Sequence, residues 1–254
     1  LVRSAELGLL GSLGLAEVVV RRRPRVAFAA TGDELVPVGQ ALGPGQIHDS
    51  NSHTLYAMLV RLGVEPVDLG ILRDDPAVIE AALARAAAEA DLLITSGGVS
   101  VGDADHVTDV LRRMGEVHFW KIAMRPGRPL AFGRIGGAWF FGLPGNPVSV
   151  MATFHQIVQP ALLRLMGREP AMPLTVRARL LGDVKKKPGR LEFVRGVLSQ
   201  AEDGGLAVAS TGAQGSGMLN SMSRANCFIL LPQDSGPASA GEQVEVQPFA
   251  GWVW

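Results

Sequence analysis

The sequence predicts a doubly wound, three-layer α/β domain with a mainly parallel sheet, followed by a small all-β barrel. Short apolar runs alternate with helical segments between residues 24 and 170, and glycine-rich loops follow several of these runs. Residues 171–254 instead contain short, partly alternating runs separated by turn-rich pieces. We therefore expect residues 1–23 to be a remnant of a preceding domain with its linker, 24–170 to be the α/β domain, and 171–254 to be the barrel.

Apolar spacing, together with glycine or proline at the element ends, defines the elements of the first domain. A short amphipathic helix with Ser4 as its N-cap comes first. In chain order, the others are strand Val26–Ala30, helix Asn51–Leu62, strand Val64–Leu72, helix Pro76–Ala90, strand Leu92–Thr95, a helix from about Asp105 to Met114, strands Val117–Lys121, Leu130–Phe132 and Ala138–Gly142, and helix Pro147–Met166.

The second domain is predicted from short strands of alternating or apolar pattern. They are Thr175–Leu180, Leu191–Leu198, Leu206–Ala209, Cys227–Leu231 and Gln243–Val246. One helix is expected in this part of the chain, around Ser216–Ser221.

Composition excludes several classes of protein. The 24 basic and 24 acidic residues balance, so no global charge indicates a nucleic-acid partner or an anionic membrane. The single cysteine, Cys227, excludes an internal disulfide framework and a multi-cysteine metal site. No stretch approaches the roughly 18 apolar residues of a membrane span. We expect a cytoplasmic protein with neither a nucleic-acid nor a membrane partner.

Three polar, glycine-rich loops follow predicted strands and locate the ligand site. They are Thr31–Glu34, Ser96–Asp105 and Pro144–Ser149. In doubly wound sheets, ligands bind outside the carboxyl ends of the strands, where such loops meet. The three loops therefore predict one shared site.

The loop Ser96–Asp105 has the composition of a phosphate site. Glycines between a strand and a helix let backbone N–H groups converge on a phosphate. The spacing is neither that of a dinucleotide fingerprint nor that of a Walker A motif. Asp103 and Asp105 are explained either as helix caps or as ligands of a hard metal such as Mg²⁺.

Two further segments fit the same site. Asn146 as N-cap and Pro147 at the first helical position give a rigid, anion-accepting start to a helix. Lys121, Arg125 and Arg128 lie on a loop constrained by proline and glycine, which suits an anion clamp. No nucleophile–base pair is evident, so the pattern favours metal-assisted chemistry on a phosphorylated or nucleotidyl ligand.

Five motifs carry a resemblance to a known family. They are RPRVAFAATGDEL (Arg23–Leu35), IHDSNS (Ile47–Ser52), TSGGVSVGDAD (Thr95–Asp105), FWKIAMRPGRPLAFG (Phe119–Gly133) and GLPGNPVS (Gly142–Ser149). In this order they closely resemble the molybdopterin molybdenumtransferase (MoeA) family, which includes the C-terminal domain of gephyrin. The matches in the barrel are looser.

The resemblance implies an enzyme that inserts molybdate into adenylylated molybdopterin and releases AMP, with Mg²⁺ or another divalent cation. Carried over by position, the active-site carboxylates for metal or reacting phosphate are Glu34, Asp74 and Asp105. The basic active-site residues, for molybdate or phosphate, are Lys121 and Arg125. The residues that bind or shape the site for substrate are Ser50, Asn51, Ser96, Gly97, Gly98, Ser100, Gly102, Pro144, Gly145, Asn146 and Pro147, with Arg195 and Ser216 as barrel candidates.

The resemblance also implies partners. Members of the family are homodimers, and a molybdopterin adenylyltransferase is a further expected partner. In the family, additional N-terminal domains supply dimer contacts and an active-site carboxylate from the partner, and this chain begins at what resembles their final helix. We therefore expect residues 1–254 alone to bind their ligands weakly and to turn over poorly.

Other functions remain open from the sequence. A molybdopterin adenylyltransferase shares the α/β domain, but it typically has TGGTG in the glycine loop and no barrel after it. A CinA-type nucleotide-hydrolysing protein differs in the loop after the glycines. A non-catalytic binding or scaffold module is the alternative from a different class, and the retained acidic and basic residues favour an enzyme over it.

Overall fold

The computed structural model of the chain describes residues 2–98, 106–169 and 172–249. Its helices are α1 (Ser4–Ser12), α2 (Asn51–Leu62), α3 (Pro76–Glu89), α4 (His106–Met114), α5 (Pro147–Thr153), a π-helical segment (Phe154–Val158), α6 (Gln159–Leu165) and α7 (Leu219–Arg224). Its strands are β1 (Arg25–Thr31), β2 (Leu35–Val36), β3 (Ile47–His48), β4 (Glu65–Leu72), β5 (Leu92–Ser96), β6 (Gly115–Lys121), β7 (Met124–Arg125), β8 (Pro129–Ile135), β9 (Ala138–Leu143), β10 (Val176–Leu180), β11 (Leu191–Gln200), β12 (Leu206–Ser210), β13 (Cys227–Leu231) and β14 (Gln243–Pro248).

The first sheet has six strands in the order β4-β1-β5-β9-β8-β6. The pairs β4–β1, β1–β5 and β5–β9 are parallel, whereas β8 runs antiparallel to both β9 and β6. The central strands β1 and β5 are buried along nearly their whole length, as expected for strands covered on both faces. The prediction of a mainly parallel sheet is confirmed.

Two apolar cores cover the two faces of this sheet. On one face, α2 and the α5–α6 segment pack through residues such as Leu55, Leu59 and Phe154. On the other face, α3 and α4 pack through residues such as Ile79, Leu83 and Leu111. Because each helix has one apolar face, the sheet between them closes a three-layer sandwich.

Local capping sets the ends of two predicted helices. The Asp75 carboxylate accepts hydrogen bonds from the backbone N–H groups of Ala77 and Val78, so α3 begins at Pro76. Gly63 ends α2 in a left-handed conformation with φ of 82°. Both helices lie where the sequence predicts them.

Two helix predictions were wrong in part. Ser4 is not the N-cap of α1, because Arg3 occupies that position, and no residue of α1 is buried. The predicted helix Pro147–Met166 is interrupted by the π-helical segment. An extra residue in one turn rotates the side chains that follow, and apolar spacing does not reveal this.

The second sheet closes into a barrel. Strands β12-β10-β14-β13-β11 follow one another, and a further pairing of β12 with β11 closes the ring. The predicted all-β second domain is therefore confirmed, and its helix α7 lies close to the predicted position.

Strand β7 belongs to the first part of the sequence but pairs with the barrel. Met124 lies opposite Leu191 and Arg125 lies opposite Glu192, in parallel register. Glu192 also pairs with Leu231 of β13, so β7 occupies the other edge of β11. The backbone thus joins the two sheets through this short pairing.

Among residues 2–98, 106–169 and 172–249, no helix is long and apolar enough to cross a membrane.

Candidate functional site

A cavity of about 1380 Å³ opens where the strand-end loops of the α/β sheet face the barrel. Each of the three loops predicted from the sequence contributes described residues to the lining of this cavity. The α/β side contributes Thr31, Gly32, Glu34, Leu35, Ile47, His48, Asp49, Ser50, Asn51, Asp74, Ser96, Gly97, Gly98, Met124–Pro129, Pro144–Pro147 and Ser149. The barrel side contributes Arg190 and the loop Gln214–Gly217. The cavity therefore opens at the carboxyl edge of the sheet, which is where ligands bind in doubly wound folds.

The start of α2 is fixed by its own loop. The Asp49 carboxylate accepts hydrogen bonds from the backbone N–H groups of Asn51, at 2.9 Å, and Ser52, at 3.1 Å. Asn51 then donates from Nδ2 to the carbonyl of Gly145 at 2.8 Å. Asp49 is thus a helix cap, and Asn51 holds two cavity loops together.

Gly97 lies where another backbone approaches too closely for a side chain. Its φ is 96°, and a Cβ would lie 2.6 Å from the carbonyl oxygen of Thr31. Its N–H donates to the carbonyl of Leu143 at 3.0 Å. Glycine adopts this φ readily and leaves room for the Thr31 carbonyl oxygen. The contact between the two strand-end loops therefore requires glycine at this position.

Several buried polar atoms at the cavity lack a protein partner. Ser96 Oγ and Asn51 Oδ1 are buried without a hydrogen bond among the described residues, and both residues line the cavity. Buried polar atoms are normally hydrogen-bonded, since leaving one unpaired costs about 1–3 kcal/mol. These two atoms are therefore placed to bind a polar ligand or water.

One end of the cavity is acidic. Glu34 and Asp74 both line it and are exposed to it. The Glu34 carboxylate folds over Gly32, since a Cβ at that glycine would come within 2.5 Å of Oε2. Asp74 is held by its backbone N–H, which donates to Asp33 Oδ1 at 3.3 Å. Two strand ends thus present carboxylates to one space.

The opposite wall is basic. Arg125, Arg128 and Arg190 all line the cavity. Arg125 pairs with Glu192, with 3.2 Å between Nη1 and Oε1. Within the described parts of the chain, the guanidinium groups of Arg128 and Arg190 have no hydrogen bond or ion pair. This wall can therefore bind an anion without first breaking a bond at either group.

Arg195 lies behind the cavity wall rather than on it. Its side chain is 1% exposed and is not among the lining residues. Nε donates to Ser221 Oγ at 3.0 Å, and Nη2 donates to the carbonyl of Gly215 at 3.0 Å. Burial and, to a smaller extent, repulsion by the Arg125 charge together lower the pKa of Arg195 to about 10. Arg195 thus supports the loop that carries Ser216.

That loop also contacts the α/β domain. The backbone N–H of Val148, in the first turn of α5, donates to the carbonyl of Ser216 at 3.0 Å. Gln214 accepts from the backbone N–H of Arg195 at 2.9 Å through Oε1. The barrel loop is therefore fixed from both sides where it closes the cavity.

The structure brings most of the sequence-predicted residues together. Lining the cavity are Glu34, Ser50, Asn51, Asp74, Ser96, Gly97, Gly98, Arg125, Pro144, Gly145, Asn146, Pro147 and Ser216. Lys121 is exposed at the end of β6, opposite Pro129, and is not among the lining residues. Ser100, Gly102 and Asp105 lie outside the described residues. Their roles in binding and catalysis stay predictions.

Sequence reasoning missed Arg190 and Gln214. Arg190 follows the turn Lys187–Gly189, and basic residues near turns are commonly solvated, so the pattern carried no signal. Gln214 lies in a turn-rich segment without apolar periodicity. Both reach the cavity only because the barrel packs against the α/β loops.

A sheet with ligand loops at its carboxyl edge, closed by a barrel loop, defines a two-domain ligand-binding protein. A family model described as a probable molybdopterin binding domain matches residues 27–164, and one described as the MoeA C-terminal region (domain IV) matches residues 177–249. The chain belongs to the family of proteins with a molybdopterin-binding domain followed by this MoeA region.

Curated relatives and solved structures agree with this assignment. The chain is 48% identical to the molybdopterin molybdenumtransferase of Haemophilus influenzae over 244 residues, which is 96% of this chain and 60% of that protein. It is 36% identical to the one from Nostoc sp., covering 96% of this chain and 57% of that protein. The chain thus spans about three fifths of the length of these relatives.

Among solved structures, the fold matches a MoeA protein of Pyrococcus horikosii with a TM-score of 0.82 at 35% identity, covering 98% of this chain and 60% of that one. It also matches a molybdenum cofactor biosynthesis protein of Pyrococcus furiosus with a TM-score of 0.73 at 30% identity, covering 97% of this chain and 76% of that one.

Proposed function

We propose that this chain forms the substrate-binding part of a molybdopterin molybdenumtransferase, which inserts molybdate into adenylylated molybdopterin and releases AMP. The observation that carries the proposal is a single cavity with carboxylates at one end and guanidinium groups on the other wall. Its volume exceeds the roughly 300–1,000 Å³ of ordinary small-molecule sites, which suits a substrate with a pterin, two phosphates and an adenosine. The names of the curated relatives support this function.

The phosphates of the substrate would bind at the loop after β5. The Ser96 hydroxyl has no partner among the described residues, and the backbone at Gly97 and Gly98 lies beside it. Hydroxyl and N–H donors on a glycine loop are the groups that hold phosphate oxygens in other phosphate sites. The unpartnered, buried Oδ1 of Asn51 is an acceptor, so it would bind a hydroxyl, amine or water of the ligand and not a phosphate oxygen.

A divalent cation would bind at the acidic end. Within the described residues no group of three His, Cys, Asp or Glu side chains is close enough to hold a metal alone. Mg²⁺ is nevertheless commonly held by one or two carboxylates together with substrate phosphates, and Glu34 with Asp74 supplies that donor set. Asp105 is the third proposed ligand. When bound, the cation would neutralise phosphate charge during transfer.

The basic wall would hold the oxyanion. Arg125, Arg128 and Arg190 can each donate two N–H groups in the planar arrangement that matches a tetrahedral oxyanion. Lys121 remains a proposed ligand in the assembled enzyme. Molybdate bound here would be positioned near the pterin, and positioning of this kind accounts for much of the catalysis in such reactions.

Calorimetry with adenylylated molybdopterin, with and without Mg²⁺, tests the proposal. We expect wild-type binding to depend on Mg²⁺, and we expect Glu34→Gln and Asp74→Asn each to remove that dependence. Asp75→Asn is the matched control, because Asp75 caps α3 and does not line the cavity. Asparagine caps a helix about as well as aspartate does, so this variant should stay close to wild-type stability and leave the Mg²⁺ dependence intact.

Two outcomes would contradict the proposal. Binding that is independent of Mg²⁺ and unaffected by Glu34→Gln would favour a non-catalytic scaffold module. Formation of adenylylated molybdopterin and pyrophosphate from ATP and molybdopterin would favour an adenylyltransferase, although the barrel with its cavity loop makes that function the weaker candidate. Rapid molybdate insertion by residues 1–254 alone would contradict our expectation that this part turns over poorly.

We also infer that the chain functions as a homodimer and that an adenylyltransferase supplies its substrate. Support comes from exposed apolar side chains in the N-terminal segment, including Leu7, Leu9, Leu13 and Val19. Apolar side chains grouped on an exposed segment commonly mark a contact surface. Light scattering after size-exclusion chromatography measures the dimer, and a monomeric mass at micromolar concentration would contradict it.

A further inference from the structure

Among the described residues, one ion pair joins the two domains beside the cavity. β7 and β11 run parallel, with Arg125 directly opposite Glu192. The backbone N–H of Leu191 donates to the carbonyl of Ala123 at 2.9 Å, so the two strands are held in this register. Arg125 comes from the α/β domain and Glu192 from the barrel. Their ion pair therefore depends on how the domains are joined.

The two side chains have different environments. The Glu192 side chain is 7% exposed, whereas the Arg125 side chain is 49% exposed and lines the cavity. A buried carboxylate is costly unless a cation compensates it. Among the described residues, Arg125 is the cation that forms an ion pair with Glu192. One edge of the Arg125 guanidinium is thus bound to the barrel, and the rest faces the cavity.

A second guanidinium group, that of Arg195, lies near enough for the Arg125 charge to act on it. Arg195 is buried, and the positive charge of Arg125 helps lower its pKa to about 10, after burial. No ion pair of Arg195 with a carboxylate is found among the described residues, and its bonds to Ser221 and Gly215 are to neutral oxygens. Without the Glu192 charge, the two guanidiniums would repel each other with nothing to offset them.

We propose that Glu192 is a positioning residue for the oxyanion site. Its carboxylate holds Arg125 on the cavity wall despite the repulsion by Arg195, with the free edge of the Arg125 guanidinium turned to the ligand. This inference rests on the proposed function, because it takes an oxyanion as the ligand of Arg125. The barrel thereby contributes to the site through a residue that does not itself line the cavity.

Charge alone and positioning by Glu192 predict opposite effects of Glu192→Gln on anion binding. Glu192→Gln removes a negative charge from the neighbourhood of an anion site, so electrostatics alone would tighten anion binding. Positioning by Glu192 has the opposite consequence, because an unanchored Arg125 moves away from Arg195 and loses its orientation. We expect Glu192→Gln to weaken binding of inorganic molybdate by about tenfold, the value of one charge-assisted hydrogen bond.

A double-mutant cycle shows whether Glu192 acts through Arg125. Molybdate binding is measured by calorimetry for the wild type, Glu192→Gln, Arg125→Met and the double variant. We expect the double variant to bind as weakly as Arg125→Met alone. Glu245→Gln, an exposed carboxylate on β14, is the matched control and should bind as the wild type does. Unchanged or tighter binding by Glu192→Gln, or additive losses in the cycle, would overturn the proposal.

A ligand-free measurement separates this inference from the proposed function. The order parameter of the Arg125 Nε–H group, from ¹⁵N relaxation, should fall in Glu192→Gln while the melting temperature shows that the variant is folded. If the wild type does not bind molybdate but Arg125 loses order in the variant, the proposed function fails and the positioning role stands. If Arg125 keeps its order, Glu192 does not position it.

Discussion

Asn51 donates a hydrogen bond from Nδ2 to the carbonyl of Gly145 at 2.8 Å, and this bond joins the loop before α2 to the loop after β9. The two residues are 94 positions apart in the sequence. Both line the cavity, and Asn51 Oδ1 has no partner among the described residues. One amide thus fixes the shape of the cavity and leaves an acceptor for a ligand.

Replacing Asn51 should therefore affect both stability and binding. Asn51→Ala is expected to lower the free energy of unfolding by about 1 kcal/mol, because the Gly145 carbonyl loses its donor. It should also weaken binding of adenylylated molybdopterin. Denaturant unfolding and calorimetry measure the two effects. Asn220→Ala, an exposed asparagine in α7, is the control and should change neither.

Two glycines of the same cavity should respond differently to alanine. Gly97→Ala places a Cβ 2.6 Å from the Thr31 carbonyl oxygen at a φ of 96°, so we expect a loss of at least about 2 kcal/mol in stability. Gly145→Ala meets only an ordinary contact, 3.7 Å from the Cα of Gly97, and should cost less than about 1 kcal/mol. Equal losses in thermal unfolding would show that this contact does not distinguish the two positions.

His155 should make the protein less stable in mild acid. Burial lowers its pKa to about 4, with a hydrogen-bonded contact to Gln159 opposing the shift and the charge of Arg61 adding to it. Between about pH 6.5 and 4 the unfolded chain binds a proton that the folded chain does not, so stability is present above pH 6.5 and is lost as the pH falls.

The size of this effect can be measured. We expect His155 to account for about 2 kcal/mol of the stability lost between pH 7 and pH 5. His155→Gln should reduce the pH dependence of denaturant unfolding over that range. His53→Gln, on the exposed face of α2, should leave the dependence unchanged. An unaltered pH profile for His155→Gln would show that the imidazole is protonated equally in both states.

The single thiol should report on unfolding. Cys227 is buried in the barrel core, and burial raises its pKa to about 12. At pH 8 a water-soluble thiol reagent should modify the native protein at least about 1,000-fold more slowly than the chain in denaturant, since the thiolate is the reactive form. Fast modification of the folded protein would contradict a closed barrel core around Cys227.

Much of the α/β domain could be predicted because its signals are local. The continuous apolar runs of β1 and β5, the Asp75 cap and the Gly63 stop all lie within the segments they define. The loops at the strand ends could be grouped into one site because parallel strands end at the same edge of a sheet. The π-helical segment was missed, since an inserted residue in a helix changes side-chain direction without changing composition.

The barrel side of the cavity could not be predicted in the same way. The pairing of β7 with β11 brings together residues about 67 positions apart, as in the bond between Arg125 and Glu192. Nothing near either residue in the sequence indicates the other. Arg190 and Gln214 reach the cavity for the same reason, because the barrel is seated on the α/β loops.

The sequence alone determined the α/β class, the barrel that follows it, the edge of the sheet where the cavity opens and the family that the motifs resemble. Those properties depend on side-chain periodicity and on turn residues, which act over a few positions. Only the tertiary structure decided that Arg125 forms an ion pair with Glu192 and that two barrel segments complete the cavity. It also decided that Arg195 supports the cavity wall instead of lining it. These relationships depend on contacts between distant segments, whose energies are settled only when both domains have folded and met.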